Sequence, residues 1–124
     1  MAYHIDWYQD KRIVLCSAEG TITDADLWEM GQTLTTFLDQ GQSSVDVILN
    51  LEAMERFPKQ LPKMRRVLRD FFEHPRLRSI TLVGRVNPLA RCIFETLTKT
   101  FRVPYRNVAP DMQAAVRAIQ TTAY

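Results

Sequence analysis

The chain has 124 residues, of which 46% are hydrophobic and 24% are charged, and its formal net charge is +2. This length fits one ordinary domain, which we expect to span residues 1–124, and leaves no room for a second hydrophobic core. No apolar run approaches the roughly 20 residues of a transmembrane helix, so the composition argues against a membrane-spanning protein.

The N-terminal segment MAYHIDWYQDKR has acidic and aromatic residues where a secretory signal would need a basic start and an apolar stretch. The two cysteines, Cys16 and Cys92, are distant in sequence, and neither belongs to a C-x-x-C pair. We therefore expect a cytoplasmic protein with two buried free thiols, no disulfide and no zinc site.

Charge is distributed unevenly along the chain. Residues 1–55 contain ten acidic and two basic side chains, a net charge of −8, whereas residues 56–124 contain four acidic and fourteen basic ones, a net charge of +10. Such asymmetry suggests an acidic partner, an anionic ligand or self-association between unlike surfaces. The alternative is that the fold places the two halves side by side, so that their charges neutralise each other.

The first two elements are predicted to form a β-hairpin. Tyr3, Ile5 and Trp7 alternate with polar residues, which is typical of a half-buried strand, and a short turn follows. The stretch RIVLCSAEG, residues 12–20, is apolar on both faces over its first half and therefore indicates a central strand.

A helix is expected after this hairpin. Thr23 is an oxygen-bearing N-cap, and Asp24 and Asp26 occupy the first turn, where they interact favourably with the helix dipole. Apolar residues then recur at helical spacing from Leu27 to Leu38. Gly41 is the residue best suited to end this helix in the left-handed conformation.

The stretch VDVILNL, residues 45–51, predicts a third strand with a partly polar second face. The next residues, EAMERFP at 52–58, are expected to leave the sheet as a loop. One helix is then predicted from about Pro62 onward, with an apolar face that ends at Phe71. His74 followed by proline ends it.

Residues 79–83, SITLV, form a fourth predicted strand, and Gly84 marks its exit. Asn87 and Pro88 are an N-cap and first-turn pair that opens a helix. The apolar residues of this helix continue to Phe101.

The stretch VPYRNV, residues 103–108, gives a fifth strand, and Pro110 with Asp111 opens a final helix over Ala115, Val116 and Ile119. The element order is ββαβαβαβα. If the strands are laid down in chain order, right-handed crossovers place the connecting helices on one face. We therefore predict a two-layer α/β fold with a five-stranded, mostly parallel sheet, an N-terminal hairpin and helices mainly on one face.

These patterns resemble the SpoIIAA-like family, which is related to the STAS domains of anti-sigma-factor antagonists and more distantly to Sec14-type lipid-binding folds. The resemblance rests on the stretches RIVLCSAEGTITDADL, VDVILNL, RSITLVGRVNPLARCIFETL and FRVPYRNVAPDMQAAVRAI. It implies a bacterial protein with a STAS-like fold that regulates or binds another protein.

In the switching members of the STAS group, a strand is followed by an Asp-Ser-Ser-Gly type loop whose serine is phosphorylated by a partner kinase. The corresponding segment here runs from Asn50 to Pro58 and contains no serine, threonine or tyrosine. The resemblance therefore implies the fold and a binding role without this phosphorylation switch.

Catalytic and metal-binding chemistry finds little support in the sequence. His4 and His74 have no triad or metal partner at a recognisable spacing. Asp24, Asp26 and Glu29 are explained by capping and the helix dipole rather than by acid–base chemistry. We expect no enzyme activity, no catalytic residue, no metal and no cofactor.

The most specific ligand hypothesis is an anion site where the fourth strand leads into its helix. Gly84 permits a close approach, the backbone N–H groups of the helix start point toward an anion, and Arg85 and Arg91 lie within a turn or two. The alternative is that Asn87 does nothing but cap the helix.

A small-ligand carrier is the second functional hypothesis. An anion or a lipid-like amphiphile would lie between sheet and helices near Leu51, Met54 and Phe57, beside Gly84 and Arg85. A closed apolar cavity near these residues would favour the carrier. A tightly filled core would favour a protein-interaction module.

The second predicted helix carries the basic residues Lys63, Arg66 and Arg69, and Lys59 precedes them. No nucleic-acid-binding motif accompanies them, so nucleic acid is not the expected partner. A membrane surface is another candidate, which Phe57, Phe72 and Trp28 would assist if they are exposed. We predict a module that binds another protein, or itself as a homodimer, through the sheet face or this basic helix.

Overall fold

The computed structural model describes residues 2–107 and 112–121. It begins with the predicted hairpin, in which β1 (Tyr3–Gln9) pairs antiparallel with β2 (Ile13–Thr21). The Arg12 N–H donates to the Gln9 carbonyl and closes the turn. Lys11 adopts the left-handed conformation at φ 62°, which lets the chain reverse within a few residues.

The remaining strands add to β2 in chain order. They are β3 (Val45–Arg56), β4 (Leu77–Val83) and β5 (Tyr105–Asn107), each pairing parallel with the strand before it. The described residues thus form a mixed sheet of five strands, of which the fifth has only three residues, rather than the mostly parallel sheet that the sequence predicted. One edge is antiparallel because a tight turn joins β1 to β2, whereas a helix joins each later pair.

The described helices are α1 (Asp24–Gln40), α2 (Leu61–Val67), α3 (Arg69–Phe72), α4 (Pro88–Phe101) and α5 (Met112–Thr121). The first four bury their apolar residues in one core against one face of the sheet. Helix α5 packs on the opposite face, where Ala115 and Ile119 meet Ile48 of β3. The helices therefore lie mainly, but not wholly, on one face. Val108, Pro110 and Asp111, which belong to the predicted fifth strand and final helix, lie outside the described residues.

Helix α1 begins as predicted and ends differently. The Thr23 Oγ1 accepts a hydrogen bond from the Asp26 N–H at 3.1 Å, and the Asp26 carboxylate accepts one from the Thr23 N–H at 2.9 Å. This reciprocal pair is a capping box. Gly41 was expected to adopt the left-handed conformation, but its φ is −83° and its backbone is extended. The expectation was wrong because glycine is needed here for space, not for a positive φ.

Strand β3 is longer than predicted. Residues 52–56, expected to be a loop, continue the strand because they pair with the end of β2, from Glu19 opposite Ala53 to Thr21 opposite Arg56. The pairing of β3 with β4 ends before these residues, at Asn50 opposite Val83. The ends of β2 and β3 therefore extend beyond the rest of the sheet as a two-stranded ribbon.

The predicted second helix is divided into α2 and α3. Leu68 separates them with φ −97° and ψ 5°, outside the values of a regular helix. Its side chain is nevertheless buried against α1, where a Cβ added to Gly31 would lie 3.1 Å from Leu68 Cδ2. The apolar face that the sequence predicted is therefore continuous across the break.

Candidate functional site

The predicted anion site lies where β4 leads into α4. Asn87 caps the helix as expected, since its Oδ1 accepts a hydrogen bond from the Leu89 N–H at 2.8 Å. Gly84 has φ 79°, and a Cβ added there would lie 2.6 Å from Oε2 of Glu52. The Glu52 carboxylate thus lies against the Gly84 backbone. Sequence reasoning missed this contact because it treated Glu52 as a loop residue.

The charges around this loop are mixed. Arg85 and Arg91 are both exposed, and neither has an ion-pair partner among the described residues. An anion near Gly84 would gain from these two guanidinium groups and would be repelled by the Glu52 carboxylate. The anion site stays a prediction, and the position of Glu52 weakens its physical case.

Met54 and Phe57, the other two predicted ligand contacts, line a separate apolar pocket between β3 and helices α1, α2 and α4. Its walls include Met30 and Met64, and Gly84 and the two arginines are not among the described residues that line it. The volume is about 30 Å³. That is far below the roughly 150 Å³ of an apolar cavity that holds benzene. A closed apolar cavity was expected for a ligand carrier and a tightly filled core for a protein-interaction module. The small volume of this pocket favours the interaction module.

The predicted partner-binding residues on α2 and α3 differ in how far their charges are neutralised. The Lys63 Nζ lies 2.6 Å from Asp24 Oδ2, and the Arg69 Nε lies 2.9 Å from Glu73 Oε1. Arg66 is exposed and has no ion-pair partner among the described residues. Part of the charge asymmetry is therefore cancelled by contacts such as Asp24 with Lys63, and part of it faces solvent.

An exposed tryptophan lies beside this basic strip. Trp28 is 54% exposed although it belongs to a well-packed helix. Helical spacing places it on the same side of α1 as Asp24 and Gly31, which contact Lys63 and Leu68 respectively. Trp28 thus lies on the side of α1 that faces α2. We call this region the α1–α2 surface, defined by Trp28, Lys59, Lys63 and Arg66.

The two histidines and two cysteines do not form a reactive cluster. His4 is exposed on β1, whereas the side chain of His74 is 9% exposed and its Nε2 lies 2.7 Å from Asp39 Oδ1. Sequence reasoning gave His74 no partner because Asp39 is distant in sequence. Among residues 2–107 and 112–121, no group of three or more histidine, cysteine or acidic side chains is placed to hold a metal.

The two thiols lie in different environments. Cys16 is buried as expected, and burial raises its pKa from 9.0 to about 12. Cys92 was expected to be buried but is exposed, because it lies on the outer side of α4 next to Arg91. The buried apolar face of α4 is formed instead by Ile93, which follows Cys92, and by Leu97.

Within the described part of the chain, none of the helices is both long enough and apolar enough to cross a bilayer. No protein-family model matches the sequence, and no curated protein matches it significantly. The fold does match solved structures, among them one described as the anti-sigma factor antagonist SpoIIAA in its unphosphorylated form. The TM-score is 0.60 at 15% sequence identity, over 98% of each chain. The chain therefore has a STAS-like fold, as the sequence resemblance implied.

Proposed function

We propose that this chain is a single-domain, non-enzymatic regulatory module that binds a protein partner through the α1–α2 surface. The observation that carries the proposal is the exposed Trp28 on the side of α1 that faces the basic helix α2. Tryptophan and arginine are enriched among the residues that contribute most to protein–protein binding, and a tryptophan left in water is a cost that a partner removes.

The charge of this surface indicates the kind of partner. Arg66 and Lys59 are exposed without a described ion-pair partner, and Lys63 is neutralised by Asp24 only in part, since both of these side chains remain about half exposed. An acidic protein surface would complement these cations and speed encounter. A homodimer is included in this proposal, because the N-terminal half of a second copy carries the required acidic side chains.

The SpoIIAA structure supports a binding role by its printed description as an antagonist of an anti-sigma factor. Its description as unphosphorylated points to a protein that also exists in a phosphorylated form. In the present chain the segment from Asn50 to Pro58 has no hydroxyl group, and most of it is strand β3 rather than a loop. We propose that partner binding here is not switched by phosphorylation of this segment, and that the protein acts in the cytoplasm.

The test is affinity capture of partners with the wild-type chain and with the double variant Trp28→Ala, Arg66→Glu. Both positions are exposed, so folding should be kept, and urea unfolding checks this. A matched double variant, Tyr8→Ala with Arg12→Glu, changes another exposed aromatic residue and another exposed base on the β1–β2 hairpin. We expect a specific partner or dimer to be lost only with the first variant. Equal capture by all three proteins contradicts the proposal.

A small-ligand carrier is the second candidate, supported by the wholly apolar pocket under Phe57 and Met54. Three methionines in its walls would adapt to a guest, because their side chains are flexible. The pocket holds about 30 Å³, so a ligand would have to displace the Phe57 ring, over which Lys59 Nζ lies at 5.4 Å. Native mass spectrometry separates the candidates: a retained lipid-like molecule supports the carrier, and a dimer or a bound protein supports the interaction module.

A further inference from the structure

A second, wider cleft lies between the C-terminal half of α4 and the start of β5. Its volume is about 550 Å³, and it is open to solvent. This is within the range of roughly 300–1,000 Å³ that is usual for small-molecule sites. It shares no residue with the α1–α2 surface or with the pocket under Phe57.

One end of the cleft is basic. Lys99 and Arg102 both line it, both are exposed, and neither has an ion-pair partner among the described residues. Glu95 lies one helical turn before Lys99, about 6 Å away along the axis at 1.5 Å per residue. The two cations favour an anionic ligand group beside them, against the opposing dipole at the C-terminus of α4, and a second anionic group near Glu95 is disfavoured.

Tyr105 forms part of the cleft wall and has an unusual hydroxyl group. Its Oη is buried and has no hydrogen-bond partner among the described residues. A buried polar group without a partner is rare in a native structure and calls for an explanation. Burial, assisted by the Glu95 charge and opposed by Arg91, raises the Tyr105 pKa to about 12. The hydroxyl therefore keeps its proton at neutral pH, and only the Tyr105 ring is available to a ligand in the cleft.

Arg102 has a backbone conformation that is unfavourable for a residue with a side chain. It caps α4 in the left-handed conformation, with φ 59° and ψ 38°, where glycine is the favoured residue. A side chain with a Cβ is strained in this conformation. Backbone strain of this kind recurs where a side chain serves a binding site. Here the residue that bears the strain also places a guanidinium group at the cleft.

We propose that this cleft binds a small organic anion. Its carboxylate or phosphate lies between Lys99 and Arg102, and its apolar body packs on Val103, Pro104 and the Tyr105 ring. The charge-assisted contacts supply orientation, and the apolar wall distinguishes an organic anion from an inorganic one.

The test is titration of the isotope-labelled chain, followed by amide chemical shifts. The probes are phenyl phosphate and benzoate, which share an aromatic body and differ in the anionic group. Phenol and inorganic phosphate serve as controls, because phenol has the aromatic ring without the anionic group and inorganic phosphate has the anionic group without the ring. We expect saturable shifts in the C-terminal half of α4, at Val103 and at Tyr105 with at least one probe, and weaker binding of both controls.

Three variants test the assigned contacts. Lys99→Gln and Arg102→Gly should each weaken probe binding by about fivefold or more, because each removes a charge-assisted contact. Tyr105→Phe should leave probe binding unchanged, because the apolar ring stays in place and the lost hydroxyl is buried out of reach of the cleft. Arg12→Gln, which removes an exposed base on the β1–β2 hairpin, should leave binding unchanged. Glycine accepts the backbone conformation of residue 102, so a loss of affinity in Arg102→Gly is not a loss of folding.

Two results would overturn the proposal. The first is the absence of saturable shifts up to about 10 mM of both probes, about ten times the dissociation constant of a weak 1 mM site. The second is binding that survives in Lys99→Gln and Arg102→Gly, or that phenol or inorganic phosphate matches. Neither result bears on partner binding at the α1–α2 surface, because the two sites share no residue.

Discussion

The guanidinium Nη1 of Arg76 lies 2.6 Å from the carbonyl oxygen of Asp39, in the last turn of α1. The same nitrogen also donates to the carbonyl of Gly41 at 3.1 Å and reaches that of Leu38 at 3.4 Å. The last turn of α1 contains no basic residue of its own. A cation from the segment before β4 therefore satisfies the carbonyls that every helix leaves unpaired at its C-terminus.

Replacing this cation should destabilise the fold. We expect Arg76→Met to lower the free energy of unfolding by about 1–3 kcal/mol, because several carbonyls lose a charged donor. Arg12→Met is the matched control, since the Arg12 side chain is exposed and its guanidinium group donates only to the Gln42 side chain among the described residues. The control should change stability by less than about 0.5 kcal/mol in urea unfolding. Equal effects of the two variants would contradict the capping role.

Gly41 is required by steric contact. Its backbone is extended, but a Cβ at this position would lie 2.5 Å from Val45 Cγ2 and 3.2 Å from Trp7 Cη2. We expect Gly41→Ala to destabilise the protein by about 1–3 kcal/mol, the usual cost of overpacking. Combining it with Val45→Ala should cost less than the sum of the two single changes, because the second change makes room. Additive effects in this double-mutant cycle would exclude the clash as the cause.

These contacts show how much of the structure the sequence could predict. The order of strands and helices, apart from the break at Leu68, and the N-caps Thr23 and Asn87 follow from local patterns, since capping and periodicity act within a few residues. The length of β3 could not be predicted locally, because residues 52–56 become a strand only through pairing with the end of β2. The helix pattern of α1 likewise identified Gly41 as a stop signal without revealing that Val45 and Trp7 crowd it.

The candidate sites also combine features that were visible in the sequence with features that depend on tertiary packing. The basic strip with Arg66 was visible as helical spacing. Trp28 was named only with Phe57 and Phe72, as an aid to membrane binding, and of these three Trp28 is the exposed one. The neutralisation of Lys63 by Asp24 depends on the packing of α1 against α2 and has no local signal. The cleft at Lys99, Arg102 and Tyr105 was missed, because its residues come from a helix end, a connection and a short edge strand.

The hydroxyl group of Thr81 is buried without a hydrogen bond, and its effect on stability can be measured. It is fully buried in β4, and its Oγ1 has no hydrogen-bond partner among the described residues. Thr81→Val keeps the shape and removes the unpaired hydroxyl, so we expect a gain of about 1 kcal/mol in the free energy of unfolding. Thr98 is the matched control, because its buried hydroxyl donates to the carbonyl of Phe94 at 2.8 Å. Thr98→Val should be neutral or destabilising, and a gain of equal size there would contradict the explanation.

The two thiols should differ in reactivity. At neutral pH an alkylating reagent should modify the exposed Cys92 in the folded protein and reach Cys16 only after unfolding, because the thiolate is the reactive form and burial disfavours it. Mass spectrometry of the alkylated protein measures this directly. Modification of both cysteines at one rate would contradict the buried placement of Cys16.

The raised Cys16 pKa also predicts a loss of stability at high pH. The folded thiol keeps its proton up to about 12, whereas the unfolded thiol ionises near 9.0. Stability is therefore fully present below pH 9 and falls as the pH rises toward 12, since the unfolded state then binds fewer protons. The slope from this one group approaches about 1.4 kcal/mol per pH unit. Cys16→Ala, although less stable at pH 8, should show a shallower decline in urea unfolding above pH 9. Parallel declines in the two proteins would show that the Cys16 thiol titrates alike in the folded and unfolded states.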